Sequence, residues 1–176
     1  ASKALTRPFP SVSLDGDTRT MSLIQRYGRA GFTMVEIMFV VALIALLATI
    51  AIPAFVKARR RSQNAAFVSD VRIADHAFQQ RSLEAGGFPP DANTGVMPDG
   101  MADYLANMRW ANITPLGGEW DWHPDVDGVG SGVRVVGASA DDNRMTEVDV
   151  LIDDGDLSTG LFRKLAGSDG YMYIVE

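Results

Sequence analysis

Between Phe32 and Phe55 the chain runs 24 residues in an apolar series broken only by Thr33, Glu36, Thr49 and Pro53. No other feature limits the fold as strongly. A helix that crosses the hydrocarbon core of a bilayer needs about 20 consecutive apolar residues at a rise of about 1.5 Å each. A core helix of a water-soluble protein would carry a polar face over such a length, and this run has none. A cleaved secretory signal has an apolar region of about 7–15 residues, which the run exceeds. Residues 32–55 therefore read as a membrane-spanning helix.

Its one ionisable side chain is Glu36. An acid at the centre of a span costs about 2.5–3.5 kcal/mol on insertion scales, and less near an end where the head reaches the interface. Acids retained in such surroundings carry a role. The flanks are basic on both sides. "MSLIQRYGRAG", residues 21–31, contains Arg26 and Arg29, and Lys57, Arg59, Arg60 and Arg61 follow the run. The positive-inside rule gives no clear orientation from these counts. Residues 1–20 read as a disordered or artefactual extension ahead of Met21.

Charge is distributed unevenly. The formal net charge is −6, yet from Ala85 onward 16 Asp and Glu face 5 Lys and Arg, a net of −11. An acidic C-terminal half argues against nucleic acid as a main partner, because phosphate binding needs a positive surface. The chain has no cysteine, which excludes disulfides, thiolate metal sites and a Cys nucleophile.

Gly31-Phe32-Thr33-Met34-Val35-Glu36 resembles the processing site of type IV prepilins and of type II secretion pseudopilins. That family carries a short basic leader ending in Gly, then Phe, then an apolar stretch with Glu at its fifth position. Pro53 falls where pilin helices commonly carry a proline. The resemblance covers residues 21–60 closely; beyond them the likeness is to major-type pseudopilins in layout and length. It implies that a prepilin peptidase cuts after Gly31 and methylates the new amino group of Phe32. It also implies a leader on the cytoplasmic side of the inner membrane and a head in the periplasm or outside the cell. Glu36 of one subunit would then neutralise the Phe32 amine of its neighbour and set axial register in a filament. A tolerated interfacial acid, or a pair with Phe32 of the same chain, is the plainer reading. Pro53 removes a helical hydrogen bond, so a kink or a locally melted stretch is expected there.

The helical pattern continues after Pro53. Phe67, Val71, Ala74 and Phe78 share one face, widened by Ala66, Ile73 and Ala77, and Gly86-Gly87 and Pro89-Pro90 end the helix near Glu84. Residues 56–84 thus form an amphipathic continuation, and 85–176 a globular head. In the head, a short helix is expected from Asp99 to Met108, with Met101, Tyr104, Leu105 and Met108 on one side. "EWDWHP" and "GVRVVG" read as a hairpin of strands with Trp120 and Trp122 on one face. "NRMTEVDVLI" reads as a helix capped by Asp142, and "GLFRKLAG" and "YMYIVE" as a second hairpin. The fold class is α+β: a long N-terminal helix packed on an antiparallel sheet of about four strands.

"LIDDGDLSTG" gathers Asp153, Asp154 and Asp156 around Gly155. Calcium takes about 6–8 oxygen ligands, so these three are a candidate Ca2+ site. Major pseudopilins hold calcium in a comparable place, although the residues here do not match that loop one by one. The plainer reading is a turn in which Asp side chains accept backbone amides. "DVDG" at 125–128 is a second, weaker calcium candidate. His76 and His123 stand apart from any Cys, His or paired acid, and Ser158 lacks a nucleophile-elbow context. No other cofactor is read from the sequence.

The expected function is structural, not enzymatic: a filament subunit, either a major-type pseudopilin or a type IV pilin. Its expected partners are copies of itself, a prepilin peptidase, an inner-membrane assembly platform with its ATPase, and minor pilins or pseudopilins. The competing expectation is a signal-anchored extracytoplasmic enzyme or binding module that does not polymerise.

Overall fold

The computed structural model describes residues 31–125, 130–166 and 169–175. The extension at 1–20, the leader up to residue 30 and residues 126–128 of the "DVDG" candidate lie outside them. The chain divides into two compact units, Ala1–Leu43 and Ile44–Glu176. Helix α1, Met34–Ala85, begins in the first and ends in the second.

In the first unit, Thr33 opens α1. Its hydroxyl oxygen accepts the Glu36 backbone N–H at 3.2 Å and its carbonyl accepts the Ile37 N–H at 3.3 Å. Thr-Met-Val-Glu is thus the sequence of a capping box, which supplies acceptors for donors that a helix start leaves unpaired. Thr33 is therefore the N-cap of α1. The apolar side chains that follow are exposed, with none of the most apolar 18-residue stretch of α1 buried. An exposed apolar surface of this extent needs lipid or other protein to cover it.

The second unit holds the core. α1 runs through Pro53 unbroken, so the locally melted alternative does not describe this state. Farther along, Asn64, Phe67, Val68, Val71, Ala74, Ala77 and Phe78 are its buried residues. Their spacing is the predicted stripe, but it widens through Asn64 and Val68, while Ala66 faces solvent. Strands β1 (Glu119–His123), β2 (Gly132–Val136), β3 (Phe162–Lys164) and β4 (Gly170–Ile174) form one antiparallel sheet in the order β1-β2-β4-β3. Helix α2, Asp142–Ile152, lies between β2 and β3 in sequence.

Sheet and helix meet through aromatic rings. Phe78 stacks on Trp122 at 3.9 Å and Phe67 on Trp120 at 5.3 Å. Trp120 and Trp122 alternate with Asp121 along β1, which places both on one face. Trp110 lies 5.7 Å from Phe78 and 6.2 Å from Trp120, closing the cluster. Such pairs contribute about 0.5–1.5 kcal/mol each beyond the area they bury. The buried indole N–H groups are satisfied: Trp122 donates to the Pro89 carbonyl at 3.0 Å and Trp110 to that of Val96 at 2.9 Å.

Two local expectations change. The segment 99–108 is a series of turns, with Met101 N–H bonding to Pro98, Leu105 to Met101 and Met108 to Leu105. The apolar side of the expected helix survives, since Met101, Leu105 and Met108 are buried. The segment meets the core by these anchors, and its scattered three- and four-residue hydrogen bonds do not build a helical ladder. The cap of α2 is Asp141, whose carboxylate accepts the Arg144 N–H at 3.0 Å. Asp142 instead accepts from Lys164 at 2.7 Å and from the Tyr171 hydroxyl, tying α2 to β3 and β4.

Candidate functional site

Two groups of residues stand out, one at the start of α1 and one after α2. Gly31, Phe32 and Thr33 precede the first helical turn, and Phe32 is 76% exposed. A Cβ added at Gly31 would meet nothing within 4 Å, and its backbone is not in the left-handed region. The fold itself therefore places no demand for glycine at this position. Glu36 sits in the first turn of α1, where a negative charge is favoured by the helix dipole. That gives the acid a local role which spacing from Phe32 did not reveal.

The second group gathers at the C-terminal end of α2. Ligand-capable oxygens of Asp149, Asp153 and Asp154 all lie within 4.8 Å of one another. Asp149 and Asp153 are four residues apart, so one helical turn superposes them. Asp149 was missed in reading the sequence because it looked like part of a helix. The four-residue interval to Asp153 was the available signal.

Asp149 is fully buried, and neither of its carboxylate oxygens has a hydrogen-bond partner among the described residues. Burial raises its pKa to about 6, and the negative charges of Asp154, Asp153 and Asp156 add to the rise, while the nearby Gly155 amide offsets it in part without completing a hydrogen bond. Asp121, the other buried aspartate among the described residues, is by contrast paired: Arg134 donates to it at 2.6 and 2.8 Å and Thr94 at 3.2 Å. The acids also gather where the helix dipole is negative, with no basic residue in the last turn of α2. Two anions and a buried acid at a helix C-terminus repel unless a cation lies among them.

The loop aspartates, Asp153 and Asp154 included, also do the turn work foreseen as the plainer reading. Asp154 accepts the Asp156 N–H at 2.9 Å and the Thr159 hydroxyl at 2.8 Å. Asp153 accepts the Leu161 N–H. Asp156 accepts both the Ser158 N–H at 3.0 Å and its hydroxyl at 2.6 Å, and these bonds hold its pKa below the ordinary aspartate value. Asp156 is absent from the close group, so the geometry replaces it with Asp149 in the candidate ligand set. Gly155 makes the tight reversal possible. Its φ is 84°, and a Cβ there would come 2.8 Å from a Val150 methyl.

A family model described as the prokaryotic N-terminal methylation motif matches residues 26–52. The match spans the Gly31-Phe32 junction, Glu36 and most of the apolar run. It supports a precursor of pilin or pseudopilin type that a prepilin peptidase processes, and with the apolar helix it is consistent with a membrane-anchored protein. No solved structure matches the chain.

Proposed function

We propose that the chain is the precursor of a filament subunit, a type IV pilin or a major-type pseudopilin of a type II secretion system. The peptidase cuts after Gly31 and methylates Phe32. The mature subunit waits in the inner membrane, with its head in the periplasm, until an assembly platform and its ATPase add it to a growing polymer of identical copies. The carrying observation is the coincidence of the methylation motif over 26–52 with a helix whose apolar side chains are uncovered. A polymer replaces lipid with neighbouring helices around those side chains. In it, Glu36 of one copy pairs with the Phe32 amine of the next, so two charges that are costly in apolar surroundings offset one another.

The test is expression of the full chain with and without a prepilin peptidase, read by intact mass. The mass should fall by the leader and rise by one methyl group at Phe32. An unchanged mass in cells with active peptidase would favour a signal-anchored module that does not polymerise.

A cation role for the head has its own support. Asp149, Asp153 and Asp154 supply oxygens to a hard divalent ion such as calcium, for which oxygen ligands are preferred, and the buried, unpartnered Asp149 carboxylate favours one. The ion would tie the end of α2 to the loop leading into β3.

A further inference from the structure

We infer that a groove beside the end of the apolar run binds the phosphate-bearing headgroup of an anionic phospholipid. The inference rests on the chain being embedded through residues 32–55. The groove has a volume of about 900 Å³ and lies between α1 and α2. Lys57, Arg60 and Arg61 line one part of it, and Pro53, Val56 and Leu151 another.

Charge in the groove lacks a full complement. Glu147 also lines it and meets Arg60 at 3.5 Å, leaving three cations against one carboxylate. Lys57 and Arg61 form no ion pair among the described residues. Along α1 no acid occurs between Glu36 and Asp70. Arg144, next to the groove, donates to Gln63 at 2.9 Å and to Asn64 at 3.1 Å. Burial, and then the charge of Arg60, hold its guanidinium below the ordinary arginine value. An anion entering here would relieve this crowding.

The apolar part identifies the anion's carrier. Val56 and Leu151 are 51% and 49% exposed, and Pro53, which lines the groove with them, is exposed as well. Arg72 donates to the Leu151 carbonyl at 3.3 Å, which holds that end of α2 against α1. Along α1 the order is Pro53 and Val56, then Lys57, Arg60 and Arg61. A lipid leaving the hydrocarbon presents its groups in the same order, with acyl ester first and phosphate second. Arginine binds phosphate by paired N–H donors. The acidic loop of a second copy would match the cations but leave the three apolar side chains in water. Basic residues next to a span strengthen binding to anionic lipid by about fivefold each.

The test uses the full chain in nanodiscs of equal phosphatidylglycerol and phosphatidylcholine, with retained lipid counted by native mass spectrometry after release. Phosphatidylglycerol should be enriched several-fold over phosphatidylcholine. Lys57→Gln with Arg61→Gln should bring that enrichment down to parity, whereas Lys57→Arg with Arg61→Lys should retain it. Both pairs lie on the exposed side of α1, and an unchanged melting curve verifies the fold. Equal retention of the two lipids by the wild type overturns the inference, as does enrichment that survives the glutamine pair. Displacement of the bound lipid by equimolar inorganic phosphate would also overturn it, by showing a free-phosphate site. So would loss of self-association by the glutamine pair in nanodiscs of phosphatidylcholine alone, which would make the groove a contact between copies. Flotation with phosphatidylcholine vesicles separates the premises: a chain that floats without headgroup preference keeps its membrane reading and loses only the groove.

Discussion

Asp149 shows how much one side chain can reveal about its surroundings. A buried carboxylate with no donor is held against its charged form, whereas Asp121 in the same head has Arg134 and Thr94. If a divalent ion completes the site, binding to the native state alone raises stability. Millimolar calcium should then raise the melting temperature of the wild type over that in chelator. Asp149→Asn should melt higher than wild type in chelator, because a buried charge has been removed, and should lose the calcium shift. A wild-type curve indifferent to calcium would retire the site. Glycine at 31 is instructive in the opposite sense. Nothing in the fold crowds it, so its demand comes from whatever recognises the junction.

The elements of the head depend on one another through few contacts of high value. The amphipathic half of α1 and the sheet are joined by Phe67, Phe78, Trp120 and Trp122, with Trp110 set between them. Phe78→Ala should cost about 3–5 kcal/mol, the usual range for a fully buried aromatic ring. Urea or thermal unfolding of the head would measure it. A loss below about 1 kcal/mol would mean that the stacked pair is not part of the folded core. α2 is joined differently, by polar ties from Arg144 to Asn64 and Gln63 and from Asp142 to Lys164 and Tyr171. Its buried Met145 and Val148 supply the apolar contact.

For the molecule as a whole, the proposed filament turns on an acid that has two possible uses. Glu36 stands in the first turn of α1 behind the Thr33 cap, where it favours helix formation in a single copy. Pairing with a neighbour's Phe32 amine adds a use that exists only in the polymer. Glu36→Ala should leave membrane insertion intact or improved and reduce incorporation into filaments, measured by shearing filaments from cells and comparing subunit amounts. Normal incorporation would confine Glu36 to the helix start. The charge difference between the acidic head and the basic segment after the run belongs to this scale too, since in the proposed filament membrane surface and neighbouring copies would meet different parts of it.

The sequence alone determined the apolar run, the Gly31-Phe32-Glu36 pattern, the C-terminal limit of α1 and the four strands. Each is a linear signal: a length, a spacing or an alternation that short-range geometry translates directly. The turns at 99–108, the Asp141 cap and the exposure of Ala66 were not legible, because they depend on which neighbours reach those residues in space. Asp149 needed the tertiary structure most. An aspartate in a helix looks the same on paper whether water or protein surrounds it, and only the packing of α2 decided that this one is buried and without a donor. The groove beside Pro53 has the same origin: its cations are plain in the chain, but Leu151 comes to them from α2.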